Sequence, residues 1–119
     1  MDQKKVLSIE DDAFLSSLVS SKLIDAGFSV ITAGTGKEGI AKAGLEKPNL
    51  ILLDIMLPDM GGFEILETLK GNPATKDIPV IILSNLGGRE EIEKGVALGA
   101  ASYLIKSNIP QCGCLLILF

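Results

Sequence analysis

The sequence predicts an α/β fold: a doubly wound, five-stranded parallel sheet. Three observations carry that prediction. Short aliphatic runs alternate with segments of helical periodicity; the run Leu50-Ile51-Leu52-Leu53 has no polar face; and four of the five runs end on polar residues, at Glu10-Asp11-Asp12, Asp54, Ser84-Asn85 and Lys106. A strand with no polar face is covered on both sides, the condition of a parallel sheet. Regular alternation of strand and helix calls for right-handed crossovers within that sheet.

The elements follow in order. Residues 6–9 form a short strand ending on Glu10, Asp11 and Asp12. Over 13–26, Phe14, Leu15, Leu18, Val19, Leu23 and Ile24 recur at helical spacing, with Asp12 as N-cap and Gly27 as the left-handed stop. Residues 28–33 are the second strand. A second helix over 36–46 is expected to be weakened by Gly39 and Gly44. The third strand is the Leu50–Leu53 run, and Pro58 and the Gly61-Gly62 pair keep the segment after Asp54 from becoming helix. A helix over 63–70 stops at Gly71-Asn72-Pro73. Residues 78–83 are the fourth strand, 89–98 a fourth helix closed by Gly99, and 101–105 the fifth strand.

The chain has 119 residues, enough for one domain with a full core, and 47% of them are hydrophobic. Mean hydropathy of +0.41 excludes a disordered chain. A net charge of −4 without clustered Lys and Arg argues against direct nucleic-acid binding. The start of the chain is too short before Glu10 for a signal peptide, and no apolar run reaches the ~20 residues that span a bilayer; a cytoplasmic protein with no membrane partner is expected. Absence of histidine excludes Ser-His-Asp and Cys-His catalysis and leaves Cys112 and Cys114 without ligands to complete a zinc site. A disulfide across one residue would be strained, so both are expected as reduced thiols.

In a parallel sheet the carboxyl ends share one edge, where ligands bind. Glu10, Asp11, Asp54, Ser84 and Lys106 should therefore converge. Crowded carboxylates repel, and a hard divalent cation relieves this; Mg2+ fits because it needs few carboxylates. A lysine and a hydroxyl beside it form an electrophilic clamp for a phosphoryl group, with Asp54 as the nucleophile that forms an acyl phosphate. Each residue alone has a bland reading: Asp11 and Asp12 as caps, Ser84 as a turn former, Lys106 as a solvated end. Jointly those readings fail.

Over about 4–107 the chain resembles the receiver domain of two-component response regulators. The resemblance rests on Ile9-Glu10-Asp11-Asp12, on Leu52-Leu53-Asp54-Ile55-Met56-Leu57-Pro58 with Gly61-Gly62-Phe63-Glu64, on Ile82-Leu83-Ser84 and on Tyr103-Leu104-Ile105-Lys106. It implies a flavodoxin-like receiver fold, a receiver domain over 1–107 and a phosphorelay function. By that resemblance Asp54 is the phosphoacceptor from a kinase phosphohistidine. Asp11, the Asp54 side chain and the Met56 carbonyl ligate Mg2+, with Glu10 acting through water. Ser84 and Lys106 hold the phosphoryl oxygens, and Tyr103 turns inward with Ser84 to reshape the surface of the fourth helix and fifth strand. The implied partners are a sensor histidine kinase or histidine phosphotransfer protein, with a homodimer left open. The chain reads as a signalling domain that phosphorylates and dephosphorylates itself, not as an enzyme.

Two departures stand out. Ser107 follows Lys106 where the family has proline in a cis peptide, and a non-proline cis bond costs about 2.5–4 kcal/mol. Residues 108–119 carry no charge and include five consecutive apolar residues, Leu115 to Phe119, an atypical end in place of an amphipathic fifth helix. Asn108 and Pro110 would suit a helix start, but Gly113 weakens it. These departures keep an alternative open, a receiver-like interaction module that is not phosphorylated. An enzyme on a similar fold fits less well. A flavin binder needs a phosphate loop where Glu10-Asp11-Asp12 stands, and an aspartyl-phosphate phosphatase a second Asp at Met56.

Overall fold

The computed structural model describes residues 4–54, 57, 59, 61–84 and 89–105. Met56, Lys106, Ser107, both cysteines and the 108–119 tail lie outside the described residues; Ser84 is described in its backbone. The elements are β1 (Lys5–Ile9), α1 (Ala13–Asp25), β2 (Ser29–Ala33), α2 (Gly36–Glu46), β3 (Leu50–Asp54), α3 (Gly62–Gly71), β4 (Val80–Ser84), α4 (Arg89–Ala97) and β5 (Ser102–Ile105). The five strands are parallel, in the order β2-β1-β3-β4-β5. Order reverses between β1 and β3, so β3 lies at the centre and its carboxyl end at the switch point.

Side chains alternate across the sheet. On one face Leu7, Ile9, Ile51, Leu53, Val80 and Ile82 pack with Ala43 of α2 and Ile65, Leu66 and Leu69 of α3. On the other, Val6, Leu50, Leu52, Ile81 and Leu83 pack with Val19 and Leu23 of α1. The apolar run of β3 is thus buried on both sides, as its composition demands.

Local chemistry sets the helix ends. The Asp12 carboxylate accepts the Phe14 N–H at 2.9 Å, and Ser16 closes the first helical bond to the Asp12 carbonyl. Gly27 and Gly99 take φ of +96° and +107°, so both stops use the left-handed conformation. Thr75 is buried and donates its hydroxyl to the Leu69 carbonyl at 2.6 Å, closing α3.

Two expectations need correction, for β4 and for Gly39, and α1 adds a finding about two of its apolar residues. Phe14 and Ile24 are 78% and 58% exposed, because the buried stripe of α1 runs through Val19 and Leu23 and those two positions fall off it. β4 begins at Val80 rather than Ile78, whose N–H and carbonyl are taken by the Thr75 carbonyl and the Lys70 ammonium. Gly39 does not simply weaken α2. A Cβ there would stand 2.5, 2.7 and 3.0 Å from Ile9 side-chain atoms, so glycine lets α2 seat directly on β1. Among the described residues no helix is long and apolar enough to cross a membrane.

Candidate functional site

Register places the strand-end residues at nearly one level. Ile9 pairs with Leu53, so Glu10 and Asp54 follow side by side. Asp54 pairs with Leu83, so Ser84 comes one step later on the neighbouring strand, opposite Ile105. Lys106 is next in sequence after Ile105.

The carboxylates converge. Glu10, Asp11 and Asp54 each present an oxygen within 4.8 Å of the others. Asp54 is 2% exposed and Glu10 6%, whereas Asp11 faces solvent. The chain around Glu10 is held from two sides: its N–H donates to the Ala33 carbonyl at 2.9 Å, and its Oε2 accepts the Asp12 N–H at 3.0 Å. Asp12 is therefore a cap, as expected, and also part of the turn that orients Glu10.

The donor set suits a hard divalent cation. All three side chains offer carboxylate oxygen, the hard donor such an ion prefers, and their oxygens lie within 4.8 Å of one another. Two buried acids and one exposed acid leave room for water or phosphate oxygens on the open side. By contrast, a groove of about 390 Å³ lined by Lys4, Phe28, Asn49, Pro79 and Ser102 lies at the amino ends of the strands, on the wrong edge for this chemistry.

Tyr103 is half-buried, paired with Ile82 and packed on the α2–α3 face of the core. A Cβ at Gly95 of α4 would come 2.8 Å from Ile82 Cδ1 and 3.3 Å from Tyr103 Cδ2, so the missing side chain lets α4 rest on the ring. The Lys94 ammonium lies 4.8 Å above the Phe63 ring, linking α4 to α3.

The start of α2 holds contacts that strand-end reasoning does not reveal. The Thr35 hydroxyl accepts the Glu38 N–H at 3.2 Å, and the Glu38 carboxylate accepts the Gly34 N–H at 2.9 Å. The Thr35-Gly-Lys-Glu38 pattern is a capping box legible in the sequence. Asp59, between β3 and α3, accepts the Gly36 and Lys37 N–H groups at 2.7 and 3.0 Å. These bonds hold its carboxyl below the ordinary range; the Gly34 N–H and then Lys42 do the same for Glu38. No local pattern announces the Asp59 contact, which crosses more than twenty residues.

Comparison with known proteins shows the family and the fold. The family model for the response regulator receiver domain matches residues 6–112. The chain is 41% identical over 102 residues to the DNA-binding dual master transcriptional regulator RpaA of Synechocystis, covering 86% of this chain and 42% of that protein. It spans less than half the length of such curated relatives. Among solved structures, the chemotaxis response regulator CheY4 of Vibrio cholerae superposes with a TM-score of 0.87 at 32% identity, over 98% of this chain and 95% of that one. The Mn2+-bound form of response regulator Rcp1 gives 0.78 at 31% identity, over 97% and 88%. The five-stranded sheet, the acids at its carboxyl edge and the match over most of its length together mean that this chain belongs to the receiver domain family of two-component response regulators.

Proposed function

We propose that Asp54 is the phosphoacceptor of this receiver and takes its phosphoryl group from a phosphohistidine on a sensor histidine kinase or histidine phosphotransfer protein. The observation that carries this reading is the convergence of Glu10, Asp11 and Asp54 within 4.8 Å at the centre of the carboxyl edge. A Mg2+ ion would be held by Asp11, Asp54 and the Met56 carbonyl, with Glu10 acting through water. That response regulator Rcp1, a structure similar to this chain, has a Mn2+-bound form supports binding of a divalent ion. When bound, the cation offsets the negative charge of the carboxylates and of the incoming phosphoryl oxygens.

Asp54 supplies the nucleophile. One carboxylate oxygen attacks phosphorus in line, the bond to the donor imidazole nitrogen breaks, and its electron pair stays with the imidazole while the acyl phosphate forms. Lys106 pairs with the phosphoryl oxygens, and the Ser84 hydroxyl donates a hydrogen bond to one of them. The phosphoryl group brings about −1.5 to −2 charge and new acceptor oxygens. Drawing Ser84 inward acts on β5, its partner in the ladder, and on Tyr103 beneath α4. The surface of α4 and β5 then selects a partner or a second copy of the chain.

We take residues 1–107 as the receiver that makes this switch and 108–119, from their uncharged sequence, as an atypical apolar tail. The domain acts in the cytoplasm and makes no nucleic-acid contact itself. Reductive trapping tests the assignment: after incubation with acetyl phosphate, borohydride converts an aspartyl phosphate to homoserine, which tandem mass spectrometry locates. Homoserine at position 54 is expected. Trapping at another acid, with position 54 unchanged, overturns the assignment.

A further inference from the structure

β2 lies at one end of the five-stranded sheet, so one side of its backbone is turned away from the other four strands. The Ser29 N–H donates to the Lys4 carbonyl, and the Ala33 carbonyl accepts the Glu10 N–H, both at 2.9 Å. Residues 29, 31 and 33 therefore turn their N–H and carbonyl groups toward β1. By alternation Val30, Thr32 and Gly34 turn theirs outward. An edge of this kind is a template for another strand.

One ion pair of α2 takes two of these outward groups. The Lys42 ammonium donates to the Thr32 carbonyl at 2.6 Å. The Glu38 carboxylate accepts the Gly34 N–H at 2.9 Å through one oxygen and meets the Lys42 ammonium at 3.1 Å through the other. A residue of a parallel neighbouring strand would donate its N–H to that carbonyl and accept that N–H with its own carbonyl. The ion pair fills both positions in the same sense, with the ammonium as donor and the carboxylate as acceptor. Side chains exposed to 35% for Lys42 and 46% for Glu38 gain little stability from pairing, so the geometry bears on the edge more than on the fold.

We propose that the Glu38–Lys42 pair guards the outer edge of β2 and keeps it from pairing with β2 of a second copy of this chain, whether or not Asp54 is the phosphoacceptor. Two such edges related by a two-fold axis run antiparallel and present identical donors and acceptors, so Thr32 of one copy can face Thr32 of the other. Both cores continue to this edge, with Val30 packed on one face of the sheet and Ile31 on the other. Joining two edges would therefore also cover apolar surface.

Sedimentation velocity on the full chain, over a range of concentrations, compares wild type with Lys42→Met, Lys42→Arg and Lys76→Met. Hydrogen exchange of the Val30 and Thr32 amides is followed by NMR on the same samples. Lys42→Met keeps the length of the side chain and loses its N–H donors. It should self-associate about tenfold more tightly than wild type, because each copy regains a backbone hydrogen bond at the edge, and both amides should gain protection as concentration rises. Losing one cation from a chain of net charge −4 adds repulsion, which works against that result. Lys42→Arg keeps a donor, and Lys76→Met makes the same charge change at an exposed position away from the edge; both should behave as wild type. A folded Lys42→Met that sediments as wild type does overturns the proposal. So does association shared equally by Lys76→Met, or association that leaves the Val30 and Thr32 amides unprotected, since each places the contact elsewhere.

Discussion

Replacing Asp54 by asparagine removes one of three negative charges from a cluster whose oxygens lie within 4.8 Å of one another. Two unit charges at that separation repel by about 0.9 kcal/mol in bulk water and about 3.5 kcal/mol at an effective dielectric constant of ~20. Glu10 and Asp54 are both buried and their pair belongs near the larger figure; Asp11 is exposed and its pair belongs near the smaller. Lost charge-assisted hydrogen bonds offset part of the relief. The expected net gain for Asp54→Asn without divalent cations is about 1–3 kcal/mol, or about 4–12 °C in Tm for a domain of this size. Mg2+ should reverse the ranking, since at 100 times Kd a ligand stabilises its binding-competent form by about 2.7 kcal/mol and the variant has lost one oxyanion. Urea unfolding in EDTA and in Mg2+, followed by the fluorescence of Tyr103, the chain's one tyrosine in the absence of tryptophan, measures both. An Asp54→Asn variant no more stable than wild type in EDTA would refute the repulsion argument. Equal stabilisation of the two proteins by Mg2+ would refute the ligand assignment.

Further predictions follow from packing and caps. Leu66 is fully buried between α3 and the sheet, and Leu66→Ala should cost about 2–5 kcal/mol in urea unfolding; a loss under 1 kcal/mol would contradict the described core. Gly39→Ala should destabilise by about 1–3 kcal/mol despite the better helix propensity of alanine, because three atoms of buried Ile9 stand in the way; Gly44→Ala, with open space around it, should stabilise by about 1 kcal/mol. Thermal unfolding of the pair checks the sign. Asp59 and Glu38 have folded pKa values held below their ordinary 3.8 and 4.5. Their contribution is present above those values and is lost as pH falls through the lower folded ones. Stability should therefore fall more steeply between pH 5 and 3 in wild type than in an Asp59→Asn, Glu38→Gln double variant. Parallel curves would show that these caps carry no pH dependence.

What the sequence reveals here depends on the range of the interaction. The Leu50–Leu53 run announces a central parallel strand because burial on both faces leaves no place for a polar residue. Glu10, Asp11, Asp54 and Ser84 can be placed at one edge because parallel strands share an end. The Asp12 cap and the Gly27 and Gly99 stops are local, and they occur where the chain signals them. Asp59 at the start of α2 is set by tertiary geometry across the fold, with no nearby residue to signal it. Gly39 shows the same limit. Helix propensity scores it as a weak point, and only the approach of α2 to Ile9 reveals why it is glycine. Phe14 and Ile24 recur at helical spacing yet face solvent, because periodicity alone does not say where a stripe ends.

The central claim is that Asp54 is a cation-dependent phosphoacceptor, and intact mass after incubation with acetyl phosphate tests it most directly. The measurement is made with Mg2+ and with EDTA, on wild type and on Asp54→Ala. A gain of one phosphoryl group in wild type with Mg2+, absent in EDTA and in the variant, is the predicted result. A folded wild-type chain that gains nothing with Mg2+, or an Asp54→Ala chain that gains as much, contradicts it.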